Sequence, residues 1–347
     1  VDPGCIGQRR REPPGEEARA RRGDAEIDFA PQRTLFLTPL RHQQFERGAG
    51  GGIDRHVPGD PLILFNIWDA GSAKAVASAG AKAIATGLVA DTPTMPFGGG
   101  EDIAFSPDGS RLTWLSMATP KFEADRNRLF NYDFKSGTKK EMTEGFDYSI
   151  DSYQWSPTGK EIYFICGINA TDQIWSITTD MKKKSVIRQI TTDQADYTGF
   201  TLWSDGKNTT MVAARMSISE PTELYNIDLK TGKPSQLTFT NDEILKTIQM
   251  GKVEKRMVKA TDGKDILTWV IYPPNFDPNK KYPALLYCQG GPQSTVSQFF
   301  SYRWNFQLMA ANDYIIVAPN RRGLPSFGTE WNRQISGDWG GQAMQDL

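Results

Sequence analysis

Histidine is almost missing from this chain. Its 347 residues hold two, His42 and His56, and both precede every stretch that reads as folded. Acid–base chemistry built on imidazole therefore has no agent in residues 57–347. The three cysteines, Cys5, Cys166 and Cys288, lie far apart without a CxxC pair, which excludes a disulfide framework and a thiolate zinc site. No metal-ligating constellation and no cofactor motif follow from the remaining residues. No run of about eighteen apolar residues occurs, so no transmembrane helix is expected. The net charge of −1 offers neither phosphate backbones nor anionic lipids an overall attraction, which argues against nucleic-acid or membrane-surface partners. Val1 opens no charged-then-apolar leader, and the natural N terminus is expected to lie upstream.

What is present divides into unlike pieces. Residues 1–57 are rich in Arg, Gly, Pro and Glu, as in Arg9-Arg10-Arg11, Glu16-Glu17 and the glycines at 48 and 50–52, and lack hydrophobic periodicity. Such a segment cannot offset the entropy of ordering, so a disordered leader is expected. Residues 58–87 read as strand, helix and strand: Pro61-Leu62-Ile63-Leu64-Phe65, then Ala73 to Ala79, then Ala83-Ile84-Ala85-Thr86. The words Asn66-Ile67-Trp68-Asp69-Ala70-Gly71-Ser72-Ala73 and Ala81-Lys82-Ala83-Ile84-Ala85-Thr86 resemble the isocitrate lyase/phosphoenolpyruvate mutase family. That resemblance implies a fragment of a TIM-type barrel with Mg²⁺ chemistry, but one βαβ unit cannot close a barrel of eight and no acidic metal ligands follow.

From about Leu88 to residue 250 one pattern recurs. Phe105-Ser106-Pro107-Asp108-Gly109, Trp155-Ser156-Pro157-Thr158-Gly159 and Trp203-Ser204-Asp205-Gly206 stand 48–50 residues apart. Each precedes an apolar strand (Leu112 to Met117, Ile162 to Cys166, Met211 to Arg215). A second strand rich in Leu and aromatics follows, such as Arg128 to Asp133, Gln173 to Ile177 and Glu223 to Asp228. A glycine turn and a last strand complete two of the repeats, at Lys135 to Thr138 and Lys230 to Lys233. Four short strands per repeat of 40–50 residues is the pattern of a β-propeller blade, since a lone four-stranded sheet has two bare faces. Three blades are fewer than the four to eight that close a propeller, so a partial propeller is expected over 88–250. The Lys182-Lys183-Lys184 run falls in a turn and reads as a solvated hairpin. Asn169-Ala170-Thr171 and Asn208-Thr209-Thr210 are glycosylation sequons that count only in a eukaryotic secretory setting.

Residues 251–347 change register again. Met257 to Ala260 and Ile266 to Tyr272 flank Thr261-Asp262-Gly263-Lys264 as a hairpin. Tyr282 to Tyr287 reads as a buried strand running into Gln289-Gly290-Gly291-Pro292. A helix with Phe300, Trp304, Leu308 and Ala311 on one stripe comes next. The strand Tyr314 to Ala318 then leads into Asn320-Arg321-Arg322-Gly323, and Gln342 to Leu347 would begin a further helix.

This order, with Lys280-Lys281-Tyr282-Pro283, Gln289-Gly290-Gly291-Pro292, Asn320-Arg321-Arg322-Gly323 and Gly337-Asp338-Trp339-Gly340-Gly341, resembles the prolyl oligopeptidase family, in its dipeptidyl-peptidase and acylaminoacyl-peptidase branches. The resemblance spans about 88–347. It implies a mainly β chain with α/β: about three propeller blades, then the N-terminal part of an α/β-hydrolase domain. It further implies a serine exopeptidase working on short peptides through an acyl-enzyme, in a periplasmic or secreted bacterial parent.

That chemistry needs an activated Ser, a His base and an orienting Asp, with the Ser in a G-x-S-x-G elbow. No such elbow occurs. The nearest imitation is Ser326 in Leu324-Pro325-Ser326-Phe327-Gly328, and no histidine follows residue 56. The resemblance therefore puts the triad beyond Leu347 and leaves this chain without catalytic residues. Gln289, Gly290, Gly291 and Pro292 would line the oxyanion side, with Gln289 where some branches carry Tyr. The same glycines also suit a tight strand exit. Arg321 and Arg322 have two roles open to them, facing substrate or making structural ion pairs. Asp338-Trp339 reads as loop packing. Two other functions stand beside the peptidase fragment: a non-catalytic propeller module that binds peptides or proteins, and a remnant of the Mg²⁺-dependent lyase. Oligomeric state is not legible.

Overall fold

The computed structural model describes residues 101–347, apart from 120, 121, 291 and 292. The leader expected over 1–57, the βαβ segment over 58–87 and the approach to the first repeat lie outside the described residues. Every described residue belongs to one compact unit of the chain.

The recurring aromatic-Ser words fold as turns, because a short polar side chain and a left-handed glycine close the chain on itself. Gly109 and Gly159 take φ of +70° and +68°, and their N–H groups donate to the carbonyls of Ser106 and Ser156. The Ser106 hydroxyl donates to Asp108 at 2.6 Å. In the third repeat Gly206 takes φ +87°, and Asp205 accepts from the N–H groups of Lys207 and Asn208. Positive φ costs glycine nothing, which is why the residue recurs there.

Each turn joins the first two strands of a four-stranded antiparallel sheet. Sheet A holds β1 (Glu101–Phe105), β2 (Arg111–Ser116), β3 (Arg128–Asp133) and β4 (Thr138–Glu141). Sheet B holds β5 (Ser152–Trp155), β6 (Glu161–Ile168), β7 (Thr171–Thr178) and β8 (Ile187–Gln189). Sheet C holds β9 (Asp196–Ser204), β10 (Thr209–Ser217), β11 (Glu220–Ile227) and β12 (Pro234–Gln236). Strands neighbour one another in chain order in all three. The last strand expected only in the first and third repeats is present in the second as well, as β8, which three residues and a lysine-rich connection had hidden.

Sheet B is covered on both faces. Leu115, Leu129, Met142 and Ile150 meet Ile162, Phe164, Cys166 and Trp175 on one side. On the other, Tyr163, Ile165 and Ile174 meet Tyr197, Met211, Ala213 and Ile227 of sheet C. Full burial of each large apolar side chain contributes about 1.5–3 kcal/mol. Trp155 also donates its indole N–H to Thr113 at 2.8 Å, under the guanidinium of Arg111 at 4.7 Å.

The C-terminal part holds sheet D: β13 (Val253–Lys259), β14 (Asp265–Ile271), β15 (Ala284–Leu286) and β16 (Ile315–Pro319), in the order β13-β14-β16-β15. β15 and β16 run parallel, and the other two pairings are antiparallel. Helices α1 (Asp242–Leu245), α2 (Phe306–Ala310), α3 (Thr329–Arg333) and α4 (Gln342–Gln345) are each four or five residues long, so the described residues are mainly β. None of these helices is long and apolar enough to cross a membrane.

Two hairpin tips seat sheets B and C in the core of sheet D. Ala170 sits in the two-residue β6–β7 turn, where Asn169 and Ala170 both take positive φ, as a type I′ hairpin requires. Ala170 and Ile218, the latter between β10 and β11, pack among Leu267, Trp269, Phe306 and Ile316. Gln307 ties the same junction. It accepts from the Gly251 N–H at 2.7 Å and donates to the Gly251 carbonyl at 3.0 Å and to Ser219 at 2.8 Å. A Cβ at Gly251 would collide with the carbonyl oxygen of Tyr272, so this glycine is required by close approach.

Two expectations need correcting. The helix expected to carry Phe300, Trp304, Leu308 and Ala311 on one stripe is only α2, and its buried residues are Phe306, Gln307 and Ala310. Leu308 is 67% exposed. Asn305 sets the start by accepting from the Leu308 N–H, so Phe300 and Trp304 precede the helix. The strand expected to be buried over Tyr282 to Tyr287 is β15, and its three residues are exposed. Its hydrophobicity misled because, among the described residues, β15 is the edge of sheet D and pairs only with β16.

Candidate active-site loops

Parallel strands expose the N–H and C=O groups of the loops that leave their carboxyl ends, and ligands of α/β sheets bind there. In sheet D those loops follow β15 and β16. The first begins at Cys288, Gln289 and Gly290; Gly291 and Pro292 lie outside the described residues. The second is Asn320-Arg321-Arg322-Gly323. Arg321 joins the two, donating to the Gln289 carbonyl at 3.2 Å and to the Arg322 carbonyl at 2.9 Å. Burial holds the Arg321 pKa below its ordinary value, against an opposing pull from Asp346.

Arg322 is buried and spends all five guanidinium donors inside the protein. It bonds Asp262 at 2.8 and 3.0 Å, Asp346 at 2.7 and 2.9 Å, and Gln334 at 3.2 Å, while its plane lies 5.2 Å from the Trp331 ring. The hydrogen bond from Arg322 holds the Asp262 carboxyl down at about 2. Of the two roles open to Arg322, this geometry is that of an ion-pair hub, and it keeps no donor for a ligand. The sequence concealed the hub because its partners stand 60 and 24 positions away.

Gln289 has a side-chain oxygen that is enclosed yet has no hydrogen-bond partner. At Gly290 neither a positive φ nor crowding demands glycine, since an added Cβ would meet nothing within 4 Å. Asn320, given no role of its own in the sequence word it opens, holds the downstream part of the same loop. Its amide accepts from the Val296 N–H at 2.9 Å and donates to the Val296 carbonyl at 3.0 Å. Trp269 adds its indole N–H to that carbonyl at 2.9 Å. The two loops are therefore fixed to each other and to β14.

Ser326 lies on the loop after Gly323 with φ +77°. Its hydroxyl is 3.3 Å from that of Thr295, and its carbonyl accepts from the Asn169 N–H. It is neither in an elbow nor beside a base. A small cleft next to it is lined by Arg126, Asp147, Ser149, Thr329 and Asn332. Here Asp147 caps α3, accepting from the Thr329 hydroxyl at 2.6 Å and its N–H at 3.2 Å. The N-cap residue of α3 is Gly328, which has no side chain to do so. Asp338 and Trp339 are both exposed, on the connection ahead of α4. Among the described residues no group of His, Cys, Asp and Glu has the geometry to hold a metal.

Comparison with known proteins gives this arrangement its family. The sequence profile of the Prolyl oligopeptidase family matches residues 300–347. Dipeptidyl-peptidase 5 of Porphyromonas gingivalis is 48% identical over 242 residues, 70% of this chain and 34% of that protein. Dipeptidyl-peptidase 5 of Trichophyton schoenleinii is 29% identical over 273 residues, 74% of this chain and 35% of that protein. The chain thus spans about a third of the length of the curated relatives it matches. Among solved structures, an acylaminoacyl peptidase in complex with Z-Gly-Gly-Phe-chloromethyl ketone superposes with a TM-score of 0.58 at 22% identity, over 69% of this chain and 35% of that one. A putative dipeptidyl aminopeptidase IV from Bacteroides ovatus gives 0.53 at 19% identity, over 71% and 37%. The parallel-strand loops, the three antiparallel sheets and these similarities agree: the chain belongs to the prolyl oligopeptidase family of serine peptidases.

Proposed function

We propose that this chain is a piece of a dipeptidyl-peptidase-like serine exopeptidase that hydrolyses short peptides through an acyl-enzyme. Sheets A, B and C are read as consecutive propeller blades over 88–250, and residues 251–347 as the first part of an α/β-hydrolase domain. The observation that carries the reading is the joining of Gln289 and Arg321 at the carboxyl ends of two parallel strands, in a chain 48% identical to a dipeptidyl-peptidase over 242 residues.

In this reading Gln289 to Pro292 line the oxyanion side of the site. A half-turn of the Gln289 amide exchanges its enclosed oxygen for an N–H donor, which is what developing negative charge requires. Arg321 orders that loop through the Gln289 carbonyl, and Arg322 braces the loop after β16 against Asp262 and Asp346. No residue of the 347 supplies the nucleophile, since none sits in G-x-S-x-G and no histidine follows residue 56. The chain by itself is therefore inactive. Its short peptide substrates and its compartment, periplasmic or secreted, are those of the parent enzyme.

Two measurements test this. The 347-residue chain should show no turnover of dipeptidyl chromogenic substrates and no labelling by a serine-directed fluorophosphonate; labelling at any serine would overturn the inactivity. Residues 105–347 should also replace their counterparts in the Porphyromonas gingivalis relative with dipeptidyl hydrolysis retained. A well-folded hybrid that takes the fluorophosphonate label yet hydrolyses no dipeptidyl substrate would overturn the assignment.

A further inference from the structure

Three carboxylates from different parts of the sheet array meet where it touches the C-terminal part. Asp172 is the second residue of β7, Asp196 opens β9, and Asp151 precedes β5. Asp196 is wholly buried, Asp172 half-buried and Asp151 reached by solvent. Asp196 clasps the loop that continues from Gln289–Pro292. It accepts from the Ser297 hydroxyl at 2.6 Å and from the Gln298 N–H, and on its other side from the Asp172 N–H at 3.0 Å. The Ser297 bond crosses 101 residues of sequence and, with that from Gln298, seats this loop on sheets B and C.

Among the described residues, nothing positive answers these acids. Asp172 lies close enough to raise both of its neighbours, and Cys166 on β6 is the remaining titratable group that faces them. The clasped loop, Gln293-Ser294-Thr295-Val296-Ser297-Gln298-Phe299, contains no charged residue. On β10, Arg215 is taken by Asp193 and Glu220. Taking carboxylates out of water without a counter-charge favours their neutral forms. We propose that the seating of loop 293–298 against sheets B and C is proton-linked through the neighbouring carboxylates Asp172 and Asp196, so that alkaline pH loosens the loop that carries the candidate oxyanion side.

The sign follows from linkage. Burial raises Asp172 and Asp196 toward neutrality, with repulsion from Asp172 adding at Asp196 and outweighing the hydrogen bonds its carboxylate accepts. An undocked aspartate titrates near its ordinary value of about 3.9. The docked form therefore binds more protons from about pH 4 upward, and its advantage is lost as pH rises through the docked values near neutrality. The linkage is a property of the junction and stands whether or not the parent is a peptidase.

Amide hydrogen exchange of the full chain tests it, at pH 5.5 and 8.0 after correction for intrinsic exchange. Protection of residues 294–299 should fall about tenfold or more at the higher pH. In Asp172→Asn the drop between the two pH values should shrink by about threefold or more, because one titrating carboxylate and its repulsion on Asp196 are gone while Asp196 stays buried. Ser297→Ala, which removes a hydrogen bond that favours the carboxylate form of Asp196, should lower protection at both pH values and leave a drop between them at least as large. Equal protection at both pH values in the native chain, or an unchanged pH response in Asp172→Asn, would overturn the proposal. Should Asp172→Asn not fold, carboxyl ¹³C titration of the native chain decides. Midpoints above the ordinary range for Asp172 and Asp196 support the linkage, and midpoints within or below it refute it.

Discussion

Sheets B and C are built from the same repeat and end up in different surroundings. Trp155 and Trp203 occupy the same place in the recurring word, yet Trp155 is 7% exposed and Trp203 64%. The difference is in the neighbours. Sheet B lies between A and C, whereas the outer face of sheet C bears Trp203, Leu224 and Leu237 without a described sheet against it. A repeat sequence specifies a sheet with two apolar faces, and only the adjoining repeats decide which face is core.

The largest effect should come from sheet B. Phe164 is wholly buried and stacks 6.3 Å from Trp175. Phe164→Ala should cost about 3–5 kcal/mol, the transfer term plus a cavity that the close-packed sheets cannot fill. Urea unfolding would read it as a lower midpoint at unchanged slope. A cost below about 1 kcal/mol would mean that sheets A and B are not packed as described.

Beyond the face it turns to sheet B, sheet C has a hairpin tip that should also behave as core. Ile218 sits at its hairpin tip inside the core of sheet D, so Ile218→Ala should cost about 2–5 kcal/mol. Leu224→Ala, on the outer face of the same sheet, should stay near zero. Equal costs at the two positions would erase the distinction between tip and face.

Repetition made the strands legible: glycine-bearing turns alternate with apolar runs of period two, and each strand's partner is its chain neighbour. Residues whose setting depends on distant chain were harder. Nothing local marks 293–305 as irregular, because Phe299, Phe300 and Trp304 imitate a helical stripe. β15 reads as buried because an edge strand of a parallel pair is as apolar as a central one. At the site, the two loop words were legible as motifs, and the bonds from Arg321 and Arg322 were not. The carboxylates at 151, 172 and 196 escaped notice altogether, since each stands at the start of a strand where a polar residue is ordinary, and only folding brings them together.

A smaller effect is expected where the sheets meet α3. Asp147 is exposed but caps a helix whose own N-cap residue is Gly328. Asp147→Ala should cost about 1 kcal/mol, and Asp147→Asn should recover most of it, because an amide oxygen also accepts the Thr329 N–H. Thermal unfolding of the pair separates the cap from charge effects: if Asn is no better than Ala, the charge beside Arg126 matters more than the cap.

The smallest effect on stability should come from Trp203, and it sharpens the comparison most. Trp203→Lys removes an exposed apolar side chain and breaks no described contact, so stability should change by no more than about 0.5 kcal/mol. Static light scattering should at the same time show less self-association, because an exposed apolar patch on a sheet face invites contact. A loss of several kcal/mol in the 347-residue chain would mean that this face is already covered, and Trp155 and Trp203 would then be equivalent after all. In a longer protein, where another sheet would cover this face as sheet C covers sheet B, the same substitution would place an unpaired charge in a core and become one of the most damaging. The ratio of the two costs therefore measures how much of the packing of sheet C lies outside these residues.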